Sequence, residues 1–226
     1  MPEDTVYWRR VWESKAGESD FAATGRSSAD PHQIFILLAD AAAALQLTGQ
    51  DSLLDVGCGV GLLGRHLAPF VSALVGVDFA VPLLARARGQ SSSARFAAGN
   101  ILALPFREGS FSRVLVSGVL AYLRDDDAVG RALAEVRRVT APAGRAFCSA
   151  NPDQHHKEEY IAGIDRLDLP EDRKTVIRER NQNAYWMSPE SLVQWAEDTG
   201  WRAEVRPISA SVWQSFYMFD VLLTAK

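Results

Sequence analysis

An apolar segment ends in glycines at alternate positions and leads directly into a helical pattern. It reads Leu53-Leu-Asp-Val-Gly57-Cys-Gly-Val-Gly61, and Leu62–Ala68 follows as a helix. Glycines placed in this way let the backbone turn tightly and let a ligand approach without meeting a Cβ atom. Asp78 ends the next apolar segment, where its carboxylate can accept hydrogen bonds from both ribose hydroxyls of an adenosine ligand. This spacing predicts a strand–turn–helix unit that binds a nucleotide.

The same alternation of short apolar segments and helical segments continues to residue 150. The predicted strands are Ser52–Val56, Ala73–Val77, Ala94–Ala98, Phe111–Ser117 and Gly144–Ala150. Such an order is typical of an α/β fold with a mostly parallel sheet and helices on both faces. Two further strands, Arg202–Ile208 and Val212–Thr224, are close enough in sequence to pair as a hairpin.

Length and patterning predict a single domain over residues 1–226. We divide it into an N-terminal helical cap at 1–50, a ligand-binding core at 51–150, a lid inserted after strand five at 151–187, and a closing helix and hairpin at 188–226. The lid segment is charged and is expected to form two short helices.

Charge and hydropathy narrow the class of protein. The net charge is −4 and the basic residues are scattered, which argues against a nucleic-acid partner. No apolar run approaches the ~20 residues of a membrane span, and Met1–Arg10 is too polar for a signal peptide. We therefore expect a cytoplasmic protein without a membrane partner, in which Cys58 and Cys148 are reduced thiols.

The glycine turn leaves the identity of the nucleotide open. Gly59-Val-Gly61-Leu-Leu-Gly64 matches the dinucleotide pattern G-x-G-x-x-G, and Asp78 follows Gly59 at the spacing that favours NAD. However, the glycine series begins earlier, at Gly57, with Asp55 two residues before it. None of the tyrosines is followed four residues later by lysine, as a short-chain oxidoreductase would require. An NAD-dependent oxidoreductase therefore stays as an alternative.

A longer set of motifs resembles the class I S-adenosylmethionine-dependent methyltransferases, most closely the small-molecule subgroup. The matching residues are Asp55-x-Gly57-x-Gly59-x-Gly61, Val77-Asp78, Gly99-Asn100-Ile101, Leu104-Pro105-Phe106, Phe111, Val119-Leu-Ala-Tyr122 and Leu133-x-Glu135-Val-x-Arg138-Val-x-x-Pro142-x-Gly144. The resemblance implies a Rossmann-like sheet of seven strands, mostly parallel with the last strand antiparallel. It also implies S-adenosyl-L-methionine as cofactor and S-adenosyl-L-homocysteine as product.

The resemblance assigns residues to this cofactor. Its methionine part would lie along the glycine turn and the end of strand four, at Asp55, Gly57, Cys58, Gly59, Gly61, Ser117 and Gly118. Asp78 would hold the ribose and Phe79 would pack beside the adenine. Asn100 and Ile101 would recognise the adenine edge; the family more often has Asp at the position of Asn100, and an Asn oxygen can still accept from the adenine amino group.

Methyl transfer to a hydroxyl calls for a base within about 3 Å of the acceptor. His155 and His156 follow strand five, at the end of the sheet where open α/β folds bind ligands, and we treat them as candidate catalytic residues. Exposed loop histidines are the alternative interpretation of the pair. Tyr122, after strand four, is a third candidate, for which plain packing is an equal alternative. The histidines lack the spacing of metal ligands, so no metal site is predicted.

All six tryptophans lie outside residues 13–185, in the flanks of the predicted cofactor-binding core. These flanks are expected to build the acceptor pocket. The candidate substrate-binding residues are Tyr7, Trp8, Trp12, Tyr160, Tyr185 and Trp186. Because the lid is expected to be mobile, it would exclude water during transfer.

Together the motifs favour S-adenosylmethionine-dependent methyl transfer to a small-molecule acceptor, with oxygen preferred to nitrogen or carbon. Besides the NAD-dependent oxidoreductase, two alternatives stay open: a methyltransferase that acts on a macromolecule, and a protein that binds the cofactor without catalysis.

Overall fold

A seven-stranded sheet forms the centre of the computed structural model, which describes residues 3–25 and 32–226. The strands lie in the order β3-β2-β1-β4-β5-β7-β6. Their bounds are β1 Ser52–Val56, β2 Ala73–Asp78, β3 Ala94–Ala98, β4 Phe111–Ser117, β5 Thr140–Pro152, β6 Trp201–Pro207 and β7 Met218–Ala225. β7 is antiparallel to both of its neighbours, and the other pairs are parallel. The predicted fold class is confirmed.

The chain changes direction across the sheet at β1. Leu53 of β1 pairs with Leu74 of β2 on one side and with Arg113 of β4 on the other. The connections that leave β1 and β4 therefore diverge, which opens a crevice at the carboxyl ends of these two strands. The glycine turn follows β1 directly and lies at this crevice.

Helices cover both faces of the sheet. Their bounds are α1 Glu3–Glu13, α2 Asp20–Ala23, α3 His32–Leu45, α4 Leu62–Leu67, α5 Val81–Gln90, α6 Asp126–Val139, α7 Lys157–Gly163, α8 Glu171–Asn183 and α9 Pro189–Asp198. Successive residues of a strand point to opposite faces, and Leu53 and Leu54 of β1 accordingly belong to two different apolar clusters. One cluster packs under α3, α4 and α5, and the other packs under α6 and α9.

Strand five extends beyond its predicted end at Ala150. Asn151 pairs with Phe219 of β7, and Pro152 pairs with Met218. The extension contains a bulge, at which Ala150 adopts a φ of 59° and donates its N–H to the Asp220 carboxylate at 2.8 Å. The segment that follows starts at the carboxyl end of β5, continues through a short 3-10 helix, and then forms α7 and α8.

Within the described ranges, no helix combines the length and the apolar character needed to cross a membrane. The same ranges hold no group of three or more His, Cys, Asp or Glu side chains arranged to bind a metal ion.

Candidate functional site

A cavity of about 890 Å³ opens at the carboxyl ends of β1, β2 and β4. One part of its wall is the glycine turn with the ends of these strands. The opposite part comes from α1, from the segment around α7 and α8, and from the turn before β7. The cavity therefore joins the predicted cofactor-binding core to the two flanks that were expected to hold the acceptor.

The glycine turn has a backbone that side chains would disturb. Gly57 and Gly59 adopt φ angles of 71° and 53°, in the left-handed region that favours glycine. A Cβ atom on Gly57 would lie only 2.3 Å from Cγ2 of Val119. The N–H groups of Gly57 and Cys58 both donate to the carbonyl of Val77, at 2.7 and 3.1 Å. The turn is thus held against the end of β2, and Gly57 and Gly59 line the cavity.

The Asp78 carboxylate ties the end of β2 to the glycine turn. Its Oδ2 accepts from the N–H of Gly59 and its Oδ1 accepts from the N–H of Ala80, each at 2.8 Å. Only 9% of the residue is exposed, and this burial raises the pKa of Asp78, against the lowering effect of the backbone hydrogen bonds. Each carboxylate oxygen keeps a lone pair beyond its backbone bond, so Asp78 can still accept from a ligand in the cavity.

Two further groups complete this part of the wall. Asn100 Oδ1 accepts from the N–H of Leu102 at 3.0 Å, and the adjacent Ile101 is buried at the cavity. Asp55 is 2% exposed and lies so close to α4 that a Cβ on Gly64 would be 2.9 Å from its Oδ2. This part of the wall offers two carboxylates, an amide, an apolar side chain and a glycine-rich turn. These groups fit an adenosine joined to an amino acid.

Most of the residues assigned to the cofactor by resemblance line this cavity. They are Asp55, Gly57, Cys58, Gly59, Asp78, Phe79, Asn100, Ile101, Ser117 and Gly118. Gly61 lies outside the wall, where it precedes α4 with a φ of 72° and packs against Phe96. Its glycine character serves helix entry.

Neither cysteine is prepared for nucleophilic chemistry. Burial raises the pKa of the Cys58 thiol far above its ordinary value, and the nearby Asp55 and Asp78 charges add to that effect. Burial likewise raises the pKa of Cys148 to about 12. Both side chains are neutral thiols at physiological pH, and only Cys58 of the two lines the cavity.

An aromatic compartment forms the other part of the cavity. Trp8 of α1 is 4% exposed and lies 4.5 Å from the ring of Tyr122, which is also 5.1 Å from the ring of Trp12. Tyr160 of α7 packs on Tyr217 with ring centroids 4.2 Å apart. Burial raises the pKa of both Tyr160 and Tyr217, so these phenols stay protonated. Trp8, Trp12 and Tyr160, three of the residues expected to bind the substrate, line the cavity. Tyr122, a candidate catalytic residue, also lines it and packs beside the rings of Trp8 and Trp12.

The other predicted aromatic residues support this compartment from behind and do not line it. Trp186 lies 5.6 Å from Tyr160 and donates its indole N–H to the carbonyl of Asn181 at 2.8 Å. Tyr7 packs edge-on against Trp8 at 4.9 Å. The Tyr185 hydroxyl donates to the Asp126 carboxylate, at the start of α6. Contact with an acceptor is thus not supported for these three residues.

His155 and His156 lie outside the cavity wall. They belong to the short 3-10 helix that follows β5. His155 Nδ1 is 2.8 Å from Oδ1 of Asp153, and its side chain is more than half exposed. His156 Nδ1 faces Glu159 at 3.6 Å. The positions of the two histidines therefore do not support their expected role as a general base.

The cavity also contains residues that the motifs did not indicate. Arg9, Arg180, Gln214 and Tyr217 all line the aromatic compartment. Arg9 is the only one with a local signal, because it lies between Trp8 and Trp12 on a predicted helix and shares a face with Trp12. The others come from distant segments of the chain.

Comparisons with known proteins agree with this architecture. A family model described as a methyltransferase domain matches residues 54–148. A demethylmenaquinone methyltransferase of Mycolicibacterium gilvum is 30% identical over 177 residues, which cover 75% of this chain and 71% of that protein. A malonyl-[acyl-carrier protein] O-methyltransferase of Erwinia billingiae is 30% identical over 121 residues, 53% of this chain and 46% of the relative.

The fold is also similar to that of solved structures. The N-methyltransferase NodS of Bradyrhizobium japonicum, in complex with S-adenosyl-L-homocysteine, superposes with a TM-score of 0.69 and 17% identity, covering 96% of this chain and 97% of NodS. Several curated relatives are longer than the matched region: the chain spans 46% to 65% of the length of four of them.

Proposed function

Because the chain belongs to the class I S-adenosylmethionine-dependent methyltransferases, we propose that it transfers a methyl group to a small-molecule acceptor bound in its aromatic compartment. One observation carries the proposal. A single cavity has the glycine turn, Asp78 and Asn100 in one part and the rings of Trp8 and Tyr122 in the other. Its volume of about 890 Å³ lies within the roughly 300–1,000 Å³ that is usual for small-molecule sites.

The first part of the cavity would hold the cofactor. Asp78 would accept from the ribose hydroxyls, Asp55 would face the amino group, and Asn100 would recognise the adenine edge. The turn at Gly57 and Gly59 would lie along the methionine chain. When bound, S-adenosylmethionine supplies a methyl group on a positively charged sulfur. The chain's own contribution is then to align the acceptor with that methyl group and to exclude water from it.

The charged groups in the wall bear on the choice of acceptor atom. Within the described residues no histidine lines the cavity. Of the aspartates in the wall, Asp55 and Asp78 are buried at the glycine turn, Asp125 accepts from the N–H of Ala128 at the start of α6, and Asp168 is exposed. An acceptor that ionises by itself needs no base from the protein. We therefore favour an acidic oxygen, such as a phenol, an enol or a carboxyl group, over a neutral alcohol or an amine.

The chain's family membership argues against the NAD-dependent oxidoreductase. The two remaining alternatives, a macromolecular acceptor and cofactor binding without catalysis, become outcomes of the test. Isothermal titration calorimetry with S-adenosyl-L-homocysteine and with NAD⁺ addresses the cofactor. A transfer assay with tritium-labelled S-adenosylmethionine, over a panel of phenols, enols and carboxylic acids, addresses the acceptor.

We expect tight binding of S-adenosyl-L-homocysteine, no binding of NAD⁺, and transfer to at least one acidic oxygen acceptor. Binding of NAD⁺ alone would overturn the whole proposal. Binding of the homocysteine product with transfer only to protein or RNA from a cell extract would overturn the small-molecule acceptor, and binding with no transfer to either would favour the non-catalytic alternative.

A further inference from the structure

Two arginines and a glutamine lie in the wall of the aromatic compartment, and nothing in the methyl transfer described above uses them. Arg9 belongs to α1, Arg180 to α8, and Gln214 to the short 3-10 helix before β7. All three elements contribute residues to the cavity wall. Long polar side chains in an otherwise aromatic wall are the usual means by which a pocket fixes the orientation of a ligand.

Arg180 lies between the N-terminal segment and the tyrosine pair. Its Nη1 donates to the carbonyl of Gly25 at 3.2 Å, and a Cβ on Gly25 would be 3.0 Å from Cη2 of Trp12. The positive charge of Arg180 acts on both tyrosines, since it favours a lower pKa for Tyr160 and for Tyr217. One guanidinium is thus close to three of the rings that line the compartment.

One hydrogen-bond donor of Arg9 lacks a partner in the described part of the chain. Its Nε atom is buried and lacks a hydrogen-bond partner among the described residues. A buried donor without a partner costs about 1–3 kcal/mol. In the part of the chain that the structure describes, neither Arg9 nor Arg180 forms an ion pair with an acidic side chain.

Gln214 has a hydrogen-bond acceptor without a donor within the described ranges. The residue is 6% exposed, and its Oε1 is a buried acceptor without a donor in the described structure. It is held in place by the backbone, because the N–H of Tyr217 donates to the Gln214 carbonyl at 3.1 Å. The wall therefore contains a buried donor of Arg9 and a buried acceptor of Gln214, both without a partner among the described residues, and the guanidinium groups of Arg9 and Arg180.

We propose that Arg9, Arg180 and Gln214 form a specificity subsite for an aromatic acceptor that carries a carboxylate next to a hydrogen-bond donor. The guanidinium groups would bind the carboxylate, because planar N–H forks match its two oxygens. Gln214 Oε1 would accept from a hydroxyl or amino group of the same ligand. The rings of Trp8 and Tyr122 would flank its flat body. This inference rests on the methyl-transfer proposal and specifies its acceptor.

A matched pair of probes tests the subsite directly. 1-Hydroxy-2-naphthoate carries a carboxylate beside a hydroxyl, and 1-hydroxy-2-naphthamide replaces only the carboxylate by a neutral amide. Binding of each is titrated by calorimetry to the protein saturated with S-adenosyl-L-homocysteine, so that no turnover occurs. We expect the naphthoate to bind at least tenfold more tightly than the naphthamide, as for the loss of a charge-assisted hydrogen bond.

Variants then assign the preference to the arginines. Arg9→Gln and Arg180→Gln should each reduce the naphthoate-to-naphthamide ratio to less than threefold and leave the affinity for S-adenosyl-L-homocysteine unchanged. Arg10→Gln on α1 and Arg173→Gln on α8, at exposed positions outside the wall, should keep the full ratio. Gln214→Leu should weaken binding of the naphthoate, because the hydroxyl of this probe would lose its acceptor.

The two proposals fail in different ways. If the wild-type protein binds S-adenosyl-L-homocysteine but binds the naphthoate no better than the naphthamide, or binds neither probe, the subsite is overturned and the methyl-transfer proposal stands. If Arg10→Gln and Arg9→Gln lose the ratio alike, the subsite is also overturned. If the wild-type protein does not bind S-adenosyl-L-homocysteine, the methyl-transfer proposal itself is overturned. The wild-type comparison needs no folded variant.

Discussion

The carboxylate of Asp78 accepts a hydrogen bond at 2.8 Å from the backbone N–H of Gly59, which lies nineteen positions earlier in the sequence. This contact joins the ends of two adjacent parallel strands at the mouth of the cavity. The side chain that would hold the ribose is therefore also the one that fixes the glycine turn beside it. The affinity for the cofactor and the stability of the turn depend on the same carboxylate.

Replacing Asp78 by Ala should weaken binding of S-adenosyl-L-homocysteine at least tenfold. The substitution removes the proposed ribose contact, and it leaves the N–H groups of Gly59 and Ala80 without their acceptor. Calorimetry measures the affinity, and a thermal melt without ligand measures the loss of stability. Asp127→Ala, an exposed position in the first turn of α6, is the control. An affinity within threefold of wild type would remove Asp78 from the ribose role.

The substitution Gly57→Ala should both destabilise the protein and abolish cofactor binding. The new methyl group would lie 2.3 Å from Val119 Cγ2, on a backbone whose φ of 71° disfavours any side chain. We expect a loss of at least about 2 kcal/mol in the free energy of unfolding, measured by urea denaturation. Gly130→Ala is the matched control, because its Cβ would meet nothing within 4 Å in the middle of α6. That variant should gain about 0.5–1 kcal/mol.

The double substitution of His155 and His156 by Ala should leave the rate constant of methyl transfer within about threefold of wild type. Both side chains lie on the short 3-10 helix outside the cavity wall, and His155 is engaged with Asp153. A general base contributes a factor of about 10²–10⁴ to the rate, so its removal would lower the rate constant well beyond threefold. A loss of two orders of magnitude in kcat at unchanged cofactor affinity would reinstate a histidine as the base.

The residues proposed to hold the cofactor could be assigned from the sequence because their signals are local. Glycine at positions 57 and 59 indicates a backbone that a side chain would disturb. Asp78 could be assigned because it ends the apolar segment that follows the glycine turn in the sequence. For the acceptor compartment the sequence indicated several of the aromatic residues but not the polar ones. Arg9, Arg180 and Gln214 come from segments that only the tertiary fold brings together.

The positions of His155 and His156 could not be predicted because the sequence did not show where β5 ends. Their position after strand five suggested the ligand-binding end of the sheet. However, β5 continues to Pro152, which pairs with Met218, and Asp153 then forms a bridge with Met187. The polypeptide therefore stays on the sheet for two residues longer than the apolar pattern indicated. The histidines consequently fall on a short 3-10 helix at the surface, before α7 begins.

The buried thiols predict a loss of stability at alkaline pH. In the folded chain the pKa of Cys148 is about 12 and that of Cys58 is higher still, because burial disfavours both thiolates. In the unfolded chain a cysteine has a pKa of about 8.5. Both thiols are protonated in both states below that pH, so their contribution is constant there. Above it only the unfolded state ionises, and stability falls as the pH rises toward the folded pKa.

Each thiol should contribute a slope of up to about 1.4 kcal/mol per pH unit above roughly pH 9. Urea denaturation at a series of pH values from 7 to 10 under reducing conditions measures the slope. The variant Cys148→Ala should lose stability at pH 7 and show a shallower decline between pH 9 and 10, since one ionising group is gone. Tyr160 and Tyr217, whose pKa values are also raised by burial, add to the slope only above their ordinary pKa of about 10. An identical slope in the variant would mean that the Cys148 thiol is accessible to water in the folded protein.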